Sequence, residues 1–234
     1  MTILLPQIEE KKHEAWNAKV HEWKNKEKPI SNVKNAKLHP HQIMEIICDA
    51  VDDETIYVTD VGQHQMWTAQ RYPFSKPRTF ISSGGLGTMG FGLGAAIGAA
   101  TGTGKKTVLV TGDGSFGMNL NELATAVSIG APVTVVIFNN GVLGMVRQWQ
   151  TLFFNKHYSS TTLNRKTDFV KLAEAFGAQG FYADTPETFT EVFRKAYATG
   201  EPCVIDCRID PNEFVLPMLP PGGSIDDIIT EKGA

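Results

Sequence analysis

The sequence predicts an α/β fold, a doubly wound and mostly parallel sheet with helices on both faces. Two observations predict it: strand-like and helix-like segments alternate from about residue 38 onward, and the strand-like segments are continuously apolar. Strands that alternate with helices are typical of parallel β-α-β units, and continuously apolar strands are buried on both faces. In such sheets ligands bind beyond the carboxyl ends of the strands.

The segment before this alternation is predicted to be a linker helix and tether, residues 1–36, leading into a domain over residues 37–234. The segment is rich in charge, and Trp16 and Trp23 stand at helical spacing ahead of a stop at Pro29. A helix with two tryptophans on one stripe is expected to pack against a partner surface.

Within the domain, six strands are predicted, each a short apolar run between turn signals. They lie over residues 55–60, 79–83, 107–114, 132–140, 180–184 and 203–210. The helices between them are predicted over residues 39–51, 62–72, 90–102, 121–130, 141–154, 168–177 and 185–200. The tail from about residue 211 is rich in Pro and Gly, and is expected to be an irregular arm that covers a sheet edge.

Composition narrows the classes of function. The chain has 42% hydrophobic and 20% charged residues and a net charge of -3, with no basic block suited to nucleic acid. Its longest apolar runs are strand-length, short of the roughly 20 residues that span a membrane, and no signal peptide is recognised. Cys48, Cys203 and Cys207 show no C-x-x-C spacing and are interpreted as buried thiols. We expect a cytoplasmic protein that binds neither nucleic acid nor membrane.

Polar groups at two strand ends carry the strongest chemical signal. Asp113 lies between two glycines after one strand, and Asn140 ends the next strand along the chain. Carboxylate and carboxamide oxygens are ligands that suit Mg²⁺, and phosphate oxygens of a bound ligand often complete its coordination. The flanking glycines allow close backbone approach, Ser115 offers a hydroxyl, and a helix expected after Asn119 favours anions. A site for Mg²⁺ and a diphosphate is therefore predicted.

A second motif allows a different interpretation. Gly85, Gly87 and Gly90 form G-x-G-x-x-G after a strand and before a small-residue helix, and Asp113 follows at about the expected distance. That pattern is found in dinucleotide-binding domains, but alone it is a weak signal. An NAD-binding module therefore remains an alternative.

The spaced pair GDGS (112–115) and NN (139–140) resembles the thiamine-diphosphate motif of thiamine-dependent enzymes. The wider words DVGQHQM, SSGGLGTMGFGLGAAIGA, NNGVLGMVRQWQ and VLPMLPPGG resemble the large, catalytic subunit of acetohydroxyacid synthase, also called acetolactate synthase. The resemblance covers nearly the whole chain but only the C-terminal domain of that longer family. The resemblance implies that the glycine-rich stretch, residues 84–94, faces the cofactor rings. Its G-x-G-x-x-G spacing would then be coincidental.

The resemblance implies a role for each matching residue. The metal ligands would be Asp113, Asn140 and the carbonyl of Val142. Cofactor contacts would come from Gln63, His64, Gly87, Met89, Asp113, Gly114, Ser115, Asn140, Val142, Gly144 and Met145. Met89 would be the wedge between the cofactor rings, and Gly87 would accept from the 4'-amino group. Trp149, Met145 and Val146 would line the pocket for the second substrate. Each has a structural alternative: His64 as a helix cap, Met89 as core, Trp149 as a buried aromatic.

The activity implied is condensation of pyruvate with pyruvate or 2-oxobutyrate, with loss of CO₂. The products would be 2-acetolactate or 2-aceto-2-hydroxybutyrate, precursors of branched-chain amino acids. The family's activating Glu lies in the N-terminal domain of a neighbouring subunit, so no catalytic residue is assigned on this chain. The family's FAD is mostly bound by the middle domain. Because this chain resembles neither the N-terminal nor the middle domain, it is expected to be a fragment or one part of a split enzyme. A homodimer or higher oligomer and a regulatory small subunit are expected partners.

Two further alternatives stay open at this point. Another thiamine-dependent 2-oxo-acid decarboxylase or oxidase would share the cofactor motif, although GMVRQWQ argues against it. A non-catalytic interaction domain would keep the fold and lose the cofactor.

Overall fold

The structure, a computed structural model, describes residues 5–9, 11–26 and 37–230. The chain divides into two compact units, residues 1–30 and 31–234. In the first unit, helix α1 (Glu14–Lys26) is present as predicted, and the predicted stop at Pro29 lies outside the described residues. The rings of Trp16 and Trp23 meet edge to face with centroids 5.8 Å apart, and both side chains are exposed.

The second unit contains all six predicted strands. They are β1 (Ile56–Thr59), β2 (Phe80–Ser82), β3 (Thr107–Gly112), β4 (Val133–Asn139), β5 (Gln179–Ala183) and β6 (Cys203–Arg208). The helices of this unit are α2 (Pro40–Ala50), α3 (Gln63–Arg71), α4 (Phe91–Thr103), α5 (Asp113–Asn119), α6 (Leu123–Ser128), α7 (Gly144–Phe153), α8 (Phe169–Ala175) and α9 (Pro186–Thr199).

The strands form one sheet in the order β2-β1-β3-β4-β6-β5, and every neighbouring pair is parallel. The predicted fold class is confirmed. The strand that follows β1 in sequence lies on one side of it, while β3 lies on the other. The connections leaving β1 and β3 therefore diverge and open a crevice at their carboxyl ends.

Both faces of the sheet are buried, which explains why the strands are continuously apolar. Successive residues of β3 point to opposite faces, so Val108 and Val110 enter one core while Leu109 enters the other. The first core includes residues of α2, α3 and α9, and the second includes residues of α4, α5, α6 and α8.

One helix was not predicted. The strand expected to continue through residue 114 ends at Gly112, and α5 begins at Asp113 itself rather than after Asn119. Asp113 is placed at the first turn of this helix, where a carboxylate near free backbone N–H groups is favourable. The prediction of a single helix over residues 121–130 was wrong at its start, because α5 and a 3-10 turn (Leu120–Glu122) precede α6.

The irregular arm after β6 packs on α7. Phe214, Leu216 and Met218 are buried and form a small apolar cluster with Met145 and Leu152. An isolated antiparallel bridge joins Met218 to Ile229, and a 3-10 turn (Ile225–Asp227) lies between these two residues in the chain. The arm therefore lies beside the helix that carries the predicted substrate residues.

No helix among the described residues is long and apolar enough to cross a membrane. All three cysteines are free thiols, with Cys203 and Cys207 buried in β6 and Cys48 partly buried in α2. Burial raises the pKa of all three thiols. A raised pKa disfavours the reactive thiolate, which agrees with a structural role.

Candidate cofactor site

A cavity of about 310 Å³ lies at the carboxyl edge of the sheet, where the connections after β1 and β3 diverge. Every cofactor-binding residue predicted from the sequence lines it: Gln63, His64, Gly87, Met89, Asp113, Gly114, Ser115, Asn140, Val142, Gly144 and Met145. These residues come from four separate strand ends. Their meeting at one cavity follows from the parallel sheet, which brings all carboxyl ends to one edge.

Asp113 is buried, with 5% of its surface exposed. Burial raises the pKa of its carboxyl to about 6, and backbone N–H groups of Asp113, Gly114 and Gly141 and the charge of Arg165 oppose that shift. The guanidinium of Arg165 also donates to the backbone carbonyl of Asp113 at 3.0 Å. Arg165 lies on the loop before α8, and no local sequence pattern indicated that it would reach this site.

Only the second of the two adjacent asparagines faces the cavity. Asn140 accepts a hydrogen bond from the backbone N–H of Val142 at 3.0 Å. Asn139 is turned the other way, donating to Asp206 at 2.8 Å and accepting from Arg208 at 3.1 Å. Asn139 therefore braces β4 against β6, while Asn140 is the one available to a ligand.

The donor set suits a hard divalent cation. Asp113, Asn140 and Val142 line the cavity together, and they offer a carboxylate, a carboxamide and a main-chain carbonyl oxygen. Among the described residues no group of three or more His, Cys, Asp or Glu side chains comes together as a metal cluster. A single carboxylate with neutral oxygens leaves coordination positions for the oxygens of an anionic ligand and for water, the arrangement that Mg²⁺ favours.

His64 lines the same cavity, and its buried ring has one nitrogen without a hydrogen-bond partner among the described residues. Burial lowers its pKa to about 3, and its Nε2 is buried without a hydrogen-bond partner among the described residues. The His64 ring lies against two glycines that leave room for it. A Cβ added at Gly62 would lie 2.8 Å from Cε1 of His64, and a Cβ added at Gly112 would lie 3.1 Å from its Nδ1. A buried, unpaired nitrogen at a cavity wall is a group that a bound ligand would satisfy.

A further glycine keeps the cavity open. A Cβ added at Gly144 would lie 2.0 Å from Oε1 of Gln63 and 2.8 Å from Nδ2 of Asn140. The first residue of α7 therefore has to be glycine for the two carboxamides to meet beneath it.

Comparison with known proteins decides the family. The family described as "Thiamine pyrophosphate enzyme, C-terminal TPP binding domain" matches residues 60–207, which contain all the predicted cofactor and metal residues. The chain belongs to this family. Its members are called thiamine pyrophosphate (TPP) enzymes below, TPP being another name for thiamine diphosphate.

Curated relatives of this TPP-enzyme domain are acetolactate synthases. The acetolactate synthase large subunit of Haemophilus influenzae is 39% identical over 94% of this chain and 39% of its own length. That of Lactococcus lactis is 43% identical over 88% of this chain and 36% of its own length. The mitochondrial catalytic subunit of Saccharomyces cerevisiae is 40% identical over 94% of this chain and 33% of its own length. The chain thus spans between a third and two fifths of each of these relatives.

A solved structure agrees on the fold. The thiamine diphosphate-dependent 4-hydroxybenzoylformate decarboxylase of Rhodococcus jostii RHA1 superposes with a TM-score of 0.71 at 28% identity, covering 79% of this chain and 34% of that one. The doubly wound architecture is therefore shared with a TPP-dependent enzyme.

The loop that carries Gly87 and Met89 is held by a residue to which the sequence analysis gave no role. Asp60, at the end of β1, accepts from the backbone N–H groups of Val61 and Gly90, both at 2.9 Å. Its second oxygen accepts from the hydroxyl of Thr111 at 3.3 Å. Asp60 is buried, and its position immediately after an apolar strand is the signal that could have identified it.

The hydroxyl of Ser115 in this TPP-enzyme domain already donates a hydrogen bond within the protein, so it is not free to donate to a ligand. Its Oγ donates to the backbone carbonyl of Val61 at 2.7 Å. The hydroxyl proton is therefore used to join α5 to the end of β1, and the oxygen lone pairs are what remain for a ligand.

The predicted substrate residues lie together on α7. Met145, Val146 and Trp149 line a second, more open cavity of about 730 Å³ beside the cofactor cavity. Val146 and Trp149 are 49% and 38% exposed, and the Trp149 ring meets Phe153 edge to face at 5.6 Å. Trp149 is therefore a surface of this cavity rather than an ordinary buried aromatic. Met145 and Val146 line both cavities.

Gln148, on the side of α7 that faces the C-terminal arm, is another residue that the sequence analysis did not identify as part of the site. It is fully buried and accepts from Nε2 of Gln63 at 2.9 Å. It stands three residues after Met145 and four before Leu152, both of which pack on the C-terminal arm. A polar residue on an apolar helical stripe was the signal available.

Proposed function

We propose that this chain is the cofactor-binding domain of an acetolactate synthase, and that its cavity at the carboxyl edge holds Mg²⁺ and thiamine diphosphate. The observation that carries the proposal is the convergence of Asp113 and Asn140 on the cavity that His64 and Met89 also line. The family match to TPP-binding domains and the identity to acetolactate synthases support it.

Each residue of the cavity has a task in this proposal. Asp113, the Asn140 side chain and the Val142 carbonyl hold Mg²⁺. His64 offers its unpaired Nε2 to the diphosphate, and Gly114 and Gly144 allow close approach. The backbone carbonyl of Asp60 already accepts from the ring, so Nε2 would donate to the diphosphate in the protonated form of His64, which a neighbouring anion favours.

The glycine-rich loop orients the cofactor rings. Asp60 fixes the loop at Gly90, which sets the positions of Gly87 and Met89 at the cavity wall. When bound, thiamine diphosphate supplies the electron sink that a 2-oxo acid requires to lose CO₂. The protein's contribution is therefore orientation, a metal clamp and a pocket that excludes water.

The substrates proposed are pyruvate and a second 2-oxo acid, either pyruvate or 2-oxobutyrate. Support comes from the apolar wall that Met145, Val146 and Trp149 present to the 730 Å³ cavity, which suits a short alkyl group. The products would be 2-acetolactate and 2-aceto-2-hydroxybutyrate, used to make branched-chain amino acids.

Other parts of the proposed enzyme lie outside this chain. The activating Glu would come from an N-terminal domain of a partner subunit, FAD would bind mostly to a middle domain, and a regulatory small subunit is a further partner. A homodimer or higher oligomer follows, because each active site would need two subunits. A reducing compartment such as the cytoplasm is supported by the three free thiols.

A second candidate is another TPP-dependent decarboxylase, which the similarity to the Rhodococcus enzyme favours. Analysis of products from the complete enzyme separates the two. Acetolactate formed from pyruvate supports the synthase, and aldehyde without acetolactate supports the decarboxylase.

Cofactor binding by this chain tests the proposal directly. Thiamine diphosphate should bind in the presence of Mg²⁺ and be lost with EDTA, and Asp113→Ala should abolish binding. Asp206→Ala is a matched control, because Asp206 is a buried carboxylate within β6, outside the cofactor cavity. Tight NAD binding without a metal requirement would contradict the proposal.

A further inference from the structure

Three carboxamides connect the C-terminal arm to the predicted metal site. They belong to Gln148, Gln63 and Asn140, and they are called the carboxamide relay here. All three residues are buried, with 0%, 4% and 8% of their surfaces exposed. A carboxamide has a donor end and an acceptor end, so each partner in such a chain decides which way the next one faces.

The relay starts at a main-chain pair that cannot reverse. The backbone N–H of Val215 donates to Oε1 of Gln148 at 2.9 Å, and Nε2 of Gln148 donates back to the Val215 carbonyl at 2.9 Å. Turning the Gln148 amide over would set donor against donor and acceptor against acceptor. The arm therefore fixes the orientation of Gln148.

Gln148 in turn fixes Gln63. The Nε2 of Gln63 donates to Oε1 of Gln148 at 2.9 Å and to the backbone carbonyl of Glu213 at 2.8 Å. Both amide hydrogens are thus used by acceptors on α7 and the arm. Gln63 presents its oxygen, not its nitrogen, toward the cavity.

The last step reaches Asn140. Its Nδ2 donates to Oε1 of Gln63 at 3.4 Å, while its Oδ1 lies on the side of Val142, accepting from that backbone N–H at 3.0 Å. The nitrogen end of Asn140 is therefore held away from Val142. An amide turned the other way would offer a cation two hydrogens in place of an oxygen.

We propose that Gln148 and Gln63 are positioning residues that hold the Asn140 side-chain oxygen in place as a metal ligand, with the main chain of Val215 as their anchor. The inference rests on the proposed function, since it assigns these residues to the Mg²⁺–thiamine diphosphate site. It also makes the first part of the arm, residues 213–218, a component of that site.

Gln148→Met tests the relay because it keeps the side-chain volume but removes the acceptor facing Gln63. Binding of Mn²⁺ with thiamine diphosphate, followed by the signal of free Mn²⁺ in electron paramagnetic resonance, should weaken roughly 10- to 100-fold, the range found for outer partners of metal ligands. The double variant with Gln148→Met and Gln63→Leu should bind Mn²⁺ no more weakly than Gln63→Leu alone, because both substitutions act through Asn140.

Phe193→Leu is the control for a general loss of stability, because Phe193 is buried in the core that contains α9 and its ring meets those of Phe189 and Tyr197 on the same helix. It should lower the melting temperature and leave Mn²⁺ binding unchanged. Equal weakening by Phe193→Leu, or binding by Gln148→Met within twofold of the wild type, would overturn the relay.

A measurement on the wild type alone keeps the test independent of variant folding. Side-chain amide protons of Gln63 and Asn140 should exchange with solvent slowly in NMR spectra of the protein without cofactor. Those of Gln179, bonded at 3.2 Å to exposed Glu201, should exchange fast and serve as the reference. Fast exchange at Gln63 would overturn the relay while leaving the proposed function standing. A wild type that binds no Mn²⁺ with thiamine diphosphate would overturn both.

Discussion

The carboxylate of Asp60 accepts a hydrogen bond from the backbone N–H of Gly90 at 2.9 Å, joining the end of β1 to the loop that carries Met89. The same carboxylate accepts from Thr111 on β3, so one buried side chain spans both sides of the crevice. Asp60 therefore sets the position of the loop relative to the two strand ends that form the cavity.

Replacing Asp60 tests this connection. Asp60→Ala leaves the N–H of Gly90 without its acceptor, and we expect about 1–3 kcal/mol lower stability and weaker thiamine diphosphate binding. Asp60→Asn keeps an oxygen for the N–H groups and a donor for the Thr111 hydroxyl, so its effect should be much smaller. Chemical denaturation and cofactor titration measure both effects. If the two variants behave alike, the hydrogen bonds do not hold the loop.

Gly144→Ala should damage the site more than the fold. The added Cβ would meet Gln63 and Asn140, whose side chains have to move to make room, and the cost of such crowding is about 1–3 kcal/mol. We expect metal-dependent binding to fall at least tenfold. Gly98→Ala is the matched control, since it lies in α4 with open space around it and should stabilise by about 0.5–1 kcal/mol. Normal cofactor binding by Gly144→Ala would contradict the described geometry.

The raised pKa of Asp113 predicts that the stability of the metal-free protein falls as the pH rises. Its folded-state pKa, raised to about 6, lies above the ordinary 3.8, so the folded protein without metal holds this proton more tightly than the unfolded chain does. The resulting stability is fully present below about pH 4 and is lost as the pH rises through about 6, on the order of 2–3 kcal/mol. Since Asn does not titrate, Asp113→Asn should remove this part of the pH profile of unfolding.

Mg²⁺ should reverse that loss. The cation replaces the proton at Asp113, so its affinity should rise as the pH increases through about 6 and then level off. Titration of metal binding between pH 5 and pH 8 checks the trend. A metal affinity that does not change over this pH range would show that Asp113 is not a ligand of the metal.

Much of the site was predictable because strand ends are local features of sequence. Asp113 and Asn140 each follow an apolar run, and a parallel sheet brings such positions to one edge. The start of α5 was missed because its seven residues include two glycines and an asparagine, which have low helix propensity. Gln148, Gln63 and Val215 were not connected because their hydrogen bonds join residues 67 and 85 positions apart, which no local pattern indicates.

Trp149 tests the assignment of the second cavity in the complete enzyme. Because Trp149 is 38% exposed, Trp149→Leu should change stability by less than about 1 kcal/mol. It should nevertheless shift the ratio of products when pyruvate and 2-oxobutyrate compete. An unchanged ratio would remove Trp149 from the substrate pocket.

The most direct test of the central claim is anomalous diffraction from a crystal of this chain with Mn²⁺ and thiamine diphosphate. The account predicts one strong Mn²⁺ peak between the Asp113 carboxylate, the Asn140 side-chain oxygen and the Val142 carbonyl, with diphosphate density extending toward His64. Cofactor density without a metal peak at Asp113, or a metal peak elsewhere, would contradict it.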